Sequence, residues 1–135
     1  MVEVLTPAFG EESIRELPAL GVNAQALNYL NFLIAEPIKA AAMYRSGVLV
    51  QVPRPERYAI HKLIIADRRR DGAGSLKALK DREQATFLIQ AMARDRPEDL
   101  SRAYASAMGV GPRWRQNIEN SLKRMQETKD ILNSI

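Results

Sequence analysis

Apolar residues in the first third of the chain occur in short runs, whose spacing predicts strands and loops. Residues 2–5, Val-Glu-Val-Leu, predict a strand with Glu3 alone on one face. Residues 8–26, which contain two glycines and a proline, predict a loop with one helical turn near residues 12–17. Residues 27–34 are short, apolar and aromatic, and a proline follows closely, so we expect a second strand there.

A hairpin is predicted next in the sequence. The apolar runs at residues 38–44 and 48–52 flank the short glycine-containing turn Arg45-Ser46-Gly47. Pro53 follows the second run and cannot donate a backbone hydrogen bond, so the sheet is expected to end there.

From Pro55 onward the apolar residues recur every three or four positions, which indicates helices. Glycines and prolines divide this region, with Ser75 as a predicted N-cap. We expect about four helices, at residues 55–69, 75–94, 97–108 and 112–132. Strands followed by helices define an α+β fold.

The composition narrows the class of protein. The chain has 135 residues, 46% of them apolar and 27% charged, which is typical of one globular domain. We expect a single domain, with a partial sheet region at residues 1–53 and a helical region at residues 54–135. The absence of cysteine excludes disulfide, zinc-ribbon and thiol chemistry, and a single histidine excludes multi-histidine metal sites within the chain. With no signal peptide and no long apolar run, a cytoplasmic location is expected, without membrane association.

Charge is distributed unevenly between the two parts. Residues 1–52 carry three basic and five acidic side chains, a net charge of −2, whereas residues 53–135 carry seventeen and eleven, a net charge of +6. A basic surface attracts nucleic acid or the phosphates of nucleotides. The alternative is that these charges form an ordinary solvated helical surface.

Residues 54–81 hold the densest group of polar side chains. Lys62 lies among apolar residues of a predicted helix, so its aliphatic stem is expected to be partly buried. Because an unpaired buried charge is costly, Lys62 requires a carboxylate or phosphate partner, and Asp81 is the candidate. Helical spacing places Arg54 and His61 near the same face.

One stretch in this region resembles a known family. Val50-Gln51-Val52-Pro53-Arg54-Pro55-Glu56-Arg57-Tyr58-Ala59-Ile60-His61-Lys62-Leu63-Ile64, with the later Arg68-Arg69, Lys77, Lys80-Asp81 and Gln84-Ala85, is similar to the nucleotidyltransferase-fold family. More closely, it resembles a bacterial branch related to abortive-infection type IV toxins and minimal nucleotidyltransferases. The resemblance extends from about residue 2 to residue 115.

The resemblance implies transfer of a nucleoside monophosphate from an NTP to a hydroxyl group, assisted by two Mg²⁺ ions on three carboxylates. It implies that Lys62 neutralises the triphosphate and that Asp81 is the family's downstream aspartate. Glu3 stands where the family usually has its third metal-binding carboxylate. Further nucleotide and phosphate contacts are expected from Arg54, Arg57, His61, Arg69 and Lys80.

The sequence departs from the family pattern at the start. The family's Gly-Ser pair and its first two carboxylates have no counterpart here, and they would lie before Met1. We therefore expect the C-terminal part of a nucleotidyltransferase, incomplete or degenerate, that binds nucleotide or completes an active site with another chain.

Two other functions remain open at the sequence level. An exposed sheet edge would suit a non-enzymatic module that binds a partner or forms a homo-oligomer. A basic RNA- or DNA-binding domain is the third hypothesis, although no recognised nucleic-acid motif supports it. His61 is interpreted either as a hydrogen-bonded packing residue or as a catalytic base. Asp81 is interpreted either as a catalytic residue or only as an ion-pair partner.

Overall fold

The computed structural model describes residues 3–71 and 74–135. The chain forms two compact units, Met1–Val52 and Pro53–Ile135. The first contains short strands and one short helix, and the second contains helices, so the predicted α+β class is confirmed. No helix in these described ranges is long and apolar enough to cross a membrane.

The first unit contains a small mixed sheet. Its strands are β1 (Leu5–Pro7), β2 (Ile14–Leu17) and β3 (Val22–Leu27), in the spatial order β1-β3-β2. β1 runs parallel to β3 and β2 runs antiparallel to it. A 3₁₀ turn at Pro18–Leu20 joins β2 to β3 and ends at Gly21, whose φ of 62° suits glycine. The mixed sheet thus occupies a region predicted to be mainly a loop, and that prediction is wrong.

Two further predictions for the first unit are wrong in detail. The first strand covers residues 5–7 rather than 2–5, so Glu3 precedes it, and residues 1–2 lie outside the described residues. Within the predicted strand at 27–34, the chain instead forms the helix α1 (Leu30–Ile34). Asn28 explains the change, since its backbone N–H donates to Glu12 Oε1 at 2.9 Å and its Nδ2 donates to the Gly10 carbonyl at 2.8 Å. These bonds end the strand and turn the chain.

The predicted hairpin is confirmed. β4 (Ile38–Ala42) pairs antiparallel with β5 (Val48–Val52), with Ala40 opposite Val50. The turn between them includes Gly47 at a φ of 88°. Among the described residues β5 pairs with no second strand, and its apolar side chains are largely exposed, Leu49 by 68%.

In its described residues, the second unit is a bundle of five α-helices. They are α2 (Pro55–Arg68), α3 (Ser75–Asp95), α4 (Pro97–Gly109), α5 (Pro112–Leu122) and α6 (Gln126–Ser134). The prolines at the first positions of α2, α4 and α5 start these helices without losing an intrahelical bond. The core is built from fully buried apolar side chains contributed by four of the helices: Ile60, Leu63, Ile64, Ile89, Leu100 and Ile118.

The final predicted helix, from residue 112 to 132, is two helices in the structure. The chain leaves the helical conformation at Met125, where φ is −140°. Met125 is buried, and after it α6 lies against α3 with Leu132 buried and the hydroxyls of Thr86 and Thr128 hydrogen-bonded at 3.1 Å. Because the helical spacing of apolar residues continues across residues 123–125, the sequence pattern did not indicate that the helix ends there.

The start of α3 also differs from the prediction, because Gly74 rather than Ser75 is its N-cap. A Cβ at Gly74 would lie 2.9 Å from the Arg69 carbonyl oxygen, which is closer than real Cβ contacts allow. Glycine at this position therefore lets the chain pass close to the end of α2.

Candidate functional site

The main polar cluster of the helical unit joins α2 to α3. Lys62 Nζ donates to Asp81 Oδ1 at 2.6 Å, and Arg69 donates to Asp81 Oδ2 at 2.8 Å. The ion pair between Lys62 and Asp81 that the sequence predicted is present. Each oxygen of one carboxylate is thus bound to a different cation, and the three side chains together carry a net charge of +1.

Burial differs strongly among the three side chains. The side chains of Asp81 and Lys62 are 5% and 16% exposed, whereas that of Arg69 is 47% exposed. Arg69 has five N–H donors, of which the bond to Asp81 uses one. The cluster therefore has a buried, paired interior and a cationic side that faces solvent.

Lys62 is held as a cation. Burial lowers its pKa, but the hydrogen bond and the Coulombic attraction to Asp81 outweigh this effect, and the pKa lies above the ordinary value. The ammonium group also lies 5.1 Å from the centre of the Tyr58 ring, one helical turn earlier. Tyr58 and Asp81 thus fix the ammonium group between α2 and α3.

His61 is buried beside this cluster, with 9% of its surface exposed. Its Nε2 atom has no hydrogen-bond partner among the residues that the structure describes. Burial, together with the neighbouring charge of Lys62, lowers the pKa of His61 from 6.5 to about 4, so the imidazole is neutral at physiological pH. His61 thus packs in the interior of the helical unit and not on the solvent-facing side of the cluster.

The other cations expected at the site lie elsewhere on the helical unit. Arg54 immediately precedes α2 and contacts the buried carboxylate of Glu56, with NH1 at 3.5 Å from Oε1. Arg57 is half-buried in the first turn of α2, and Lys80 is exposed on α3. Asp81 thus brings together Lys62 and Arg69.

Hydrogen bonds from α5 hold the end of α2 that presents Arg69. Ser121 Oγ donates to the Leu63 carbonyl at 2.6 Å, and Asn120 Nδ2 donates to Asp67 at 3.3 Å. Asp67 also accepts from Arg70 at 2.9 Å. α5 therefore holds α2 at two successive turns, through the Leu63 carbonyl and through the Asp67 carboxylate.

Sequence reasoning missed a shallow cleft beside Tyr58, between α2 and α3. It has a volume of about 400 Å³ and is lined by Tyr58, Glu83, Gln84, Phe87 and Leu88. Phe87 is 71% exposed. The signal available in the sequence was an aromatic residue on the polar side of a helix whose other face carries the apolar stripe.

Comparison with known proteins connects this arrangement to a family. A family model described as "Nucleotidyltransferase" matches residues 1–109, which include Lys62, Arg69 and Asp81. The chain belongs to this nucleotidyltransferase family. Comparisons with curated proteins and with solved structures gave no significant match.

Among the described residues, the carboxylates of this member of the nucleotidyltransferase family are not arranged as a two-magnesium centre requires. Within residues 3–71 and 74–135, no group of three or more histidine, aspartate or glutamate side chains is placed to hold a metal ion. Glu3 is exposed and precedes β1. Both oxygens of Asp81 are bound to Lys62 and Arg69, so this carboxylate has no oxygen left without a cationic partner.

Proposed function

We propose that this nucleotidyltransferase-family chain binds the phosphate groups of a nucleoside triphosphate at Lys62 and Arg69. The observation that carries the proposal is the pair of cations, Lys62 and Arg69, that bind Asp81. All three residues lie within the segment that the family model matches. In this proposal the metal-binding carboxylates come from a companion polypeptide, and this chain supplies the phosphate-binding side. The resemblance of residues 50–64 supports the assignment of this chain to the bacterial branch of the family that is related to abortive-infection type IV toxins.

The chemistry of the cluster supports phosphate as the ligand. A phosphate oxygen only accepts hydrogen bonds at neutral pH, and a guanidinium group offers several N–H donors in one plane. Asp81, which is buried, orients Arg69 through a hydrogen bond, while almost half of the arginine side chain faces solvent. Asp81 is therefore proposed as a positioning residue, which acts through the two cations rather than by contact with the nucleotide.

The proposal predicts that triphosphate binding depends on Arg69. Arg69→Gln removes the positive charge but retains a polar side chain. We expect the affinity for ATP to fall by roughly 10- to 150-fold, since hydrogen bonds to charged groups contribute about 1.5–3 kcal/mol. Binding is expected with EDTA present, because the cations belong to the protein. Isothermal titration calorimetry of the full chain with ATP measures both effects.

Arg94→Gln is the matched control for this measurement. Arg94 is exposed on α3 and pairs with its neighbour Asp95, outside the cluster. It should leave the affinity unchanged, while thermal unfolding verifies that both variants are folded. Absence of ATP binding by the unmodified chain, or equal loss in both variants, would contradict the proposal.

A second candidate function is self-association through β5. Its sequence, Val-Leu-Val-Gln-Val, is uncharged and rich in β-branched residues, and its outer edge pairs with no described strand. Exposed edges of this kind pair with other strands unless a charge or proline prevents it. Such a chain would act as an interaction module that binds a second copy.

Under this second hypothesis, Leu49→Lys is expected to convert a dimer to a monomer, because a charge would be placed in the paired edge. Light scattering coupled to size exclusion at several concentrations measures the mass. Leu20→Lys is the control, since Leu20 is also exposed in the first unit but lies outside the strands. A monomer at every concentration for the unmodified chain would exclude this function.

A further inference from the structure

The cleft between α2 and α3 adjoins the cationic cluster. Tyr58 lines the cleft and also lies against the Lys62 ammonium group, so one side chain belongs to both features. Along the backbone of α2, Lys62 follows Tyr58 by about 6 Å. Arg69 follows two turns later, and its guanidinium group binds the same Asp81 carboxylate as the Lys62 ammonium group. The cleft and the two cations therefore form a continuous line along the surface between the helices.

The lining of the cleft differs in chemistry from the cluster. Phe87 and Tyr58 provide aromatic surface, and Leu88 adds an apolar floor. Gln84 contributes an amide that both donates and accepts, and Glu83 contributes a carboxylate that only accepts. A flat, partly apolar ligand with hydrogen-bonding groups on its edge matches this combination.

We propose that the cleft binds the base of the nucleotide whose phosphates lie at Lys62 and Arg69, an inference that rests on the proposed function. Phe87 stacks on the base, because exposed aromatic side chains bind bases through their π-faces. Glu83 accepts from an exocyclic amino group, so adenine is favoured over uracil, which lacks this donor. Gln84 completes the edge contact, since its amide can pair with an adjacent donor and acceptor on adenine.

Charge complementarity identifies the ligand as a nucleotide rather than a protein segment. The line of contacts runs from aromatic surface to a partly buried ammonium group and then to a half-exposed guanidinium group. A nucleoside triphosphate has the same order, from a flat uncharged base to a chain of anionic phosphates. An apolar peptide would offer no anionic group to Lys62 and Arg69.

The test compares ATP, UTP and inorganic tripolyphosphate by calorimetry on the full chain. We expect ATP to bind about tenfold more tightly than tripolyphosphate, and more tightly than UTP. Phe87→Ala should reduce ATP affinity by about the same factor and leave tripolyphosphate affinity unchanged. Because Phe87 is largely exposed, this substitution is not expected to disturb folding.

Leu76→Ala is the matched control, since Leu76 is exposed on the same helix but does not line the cleft. Equal affinity for ATP and tripolyphosphate, unchanged by Phe87→Ala, would overturn base binding while the phosphate site stands. If neither ligand binds, the proposed function fails together with this inference. A similar loss from Leu76→Ala would assign the effect to the helix rather than to the cleft, and would also overturn the inference.

Discussion

Replacing Asp81 with alanine is expected to lower the free energy of unfolding by about 3–5 kcal/mol. The substitution leaves the Lys62 ammonium group, whose side chain is 16% exposed, without its carboxylate partner. Arg69 loses its anchor as well, but it can be hydrated because it is half-exposed. Urea unfolding at pH 7, followed by circular dichroism, measures the change.

Two further variants separate the ion pair from a general effect of removing an acid. Asp71→Ala removes an exposed carboxylate near the end of α2 and should change stability by less than about 0.5 kcal/mol. The double variant Lys62→Met and Asp81→Leu should recover most of the loss, because a buried pair can often be replaced by apolar side chains. A loss below about 1 kcal/mol in Asp81→Ala would show that Lys62 is hydrated rather than paired.

Stability is expected to fall as the pH decreases from about 6.5 to 4, with His61 as one defined cause. The pKa of His61 is about 4 in the folded chain, against 6.5 ordinarily, so in this interval the unfolded chain binds a proton that the folded chain excludes. The stabilisation is therefore complete above pH 6.5 and is lost as the pH falls through this interval. A shift of this size corresponds to about 3 kcal/mol.

His61→Leu isolates this contribution, because leucine fills the site without a titratable group. The difference in unfolding free energy between the two proteins should change across pH 7.5 to 4.5, while carboxylate titration, common to both, cancels. The charged neighbours Lys62, Asp81, Arg68 and Arg69 stay in place in both proteins. A constant difference across this range would contradict the prediction that His61 is buried and neutral.

The helical unit was the more predictable part of the fold. Its apolar residues recur every three or four positions, and this spacing indicates both where the helices lie and which of their residues are buried. The position of Lys62 among apolar residues implied that it has an acidic partner, and Asp81 was the candidate. The structure contains this ion pair. The second cation on Asp81, Arg69, could not be predicted in this way. Its contact depends on how the end of α2 packs against α3, and the spacing of residues along a single helix carries no information on that packing. The break at Met125 was hidden because the apolar stripe continues across it.

The strand region was less predictable because its elements are defined by distant contacts. β1 pairs with β3 in parallel, a contact between residues some twenty positions apart. The end of β3 depends on Asn28, whose bonds reach back to Gly10 and Glu12. Periodicity reports on the local chain, whereas these hydrogen bonds are set by tertiary structure. The hairpin was predictable because its turn and both strands are contiguous.

The boundary of the family match has a consequence for what can fold independently. The match ends at residue 109, yet α5 and α6, which follow, contribute buried residues to the same core. Ser121 and Thr128, in those helices, bond to α2 and α3, the helices that carry the cluster. A fragment cut at the family boundary would therefore expose the inner faces of both helices. The segment that the family model matches is therefore shorter than the segment that builds the helical core.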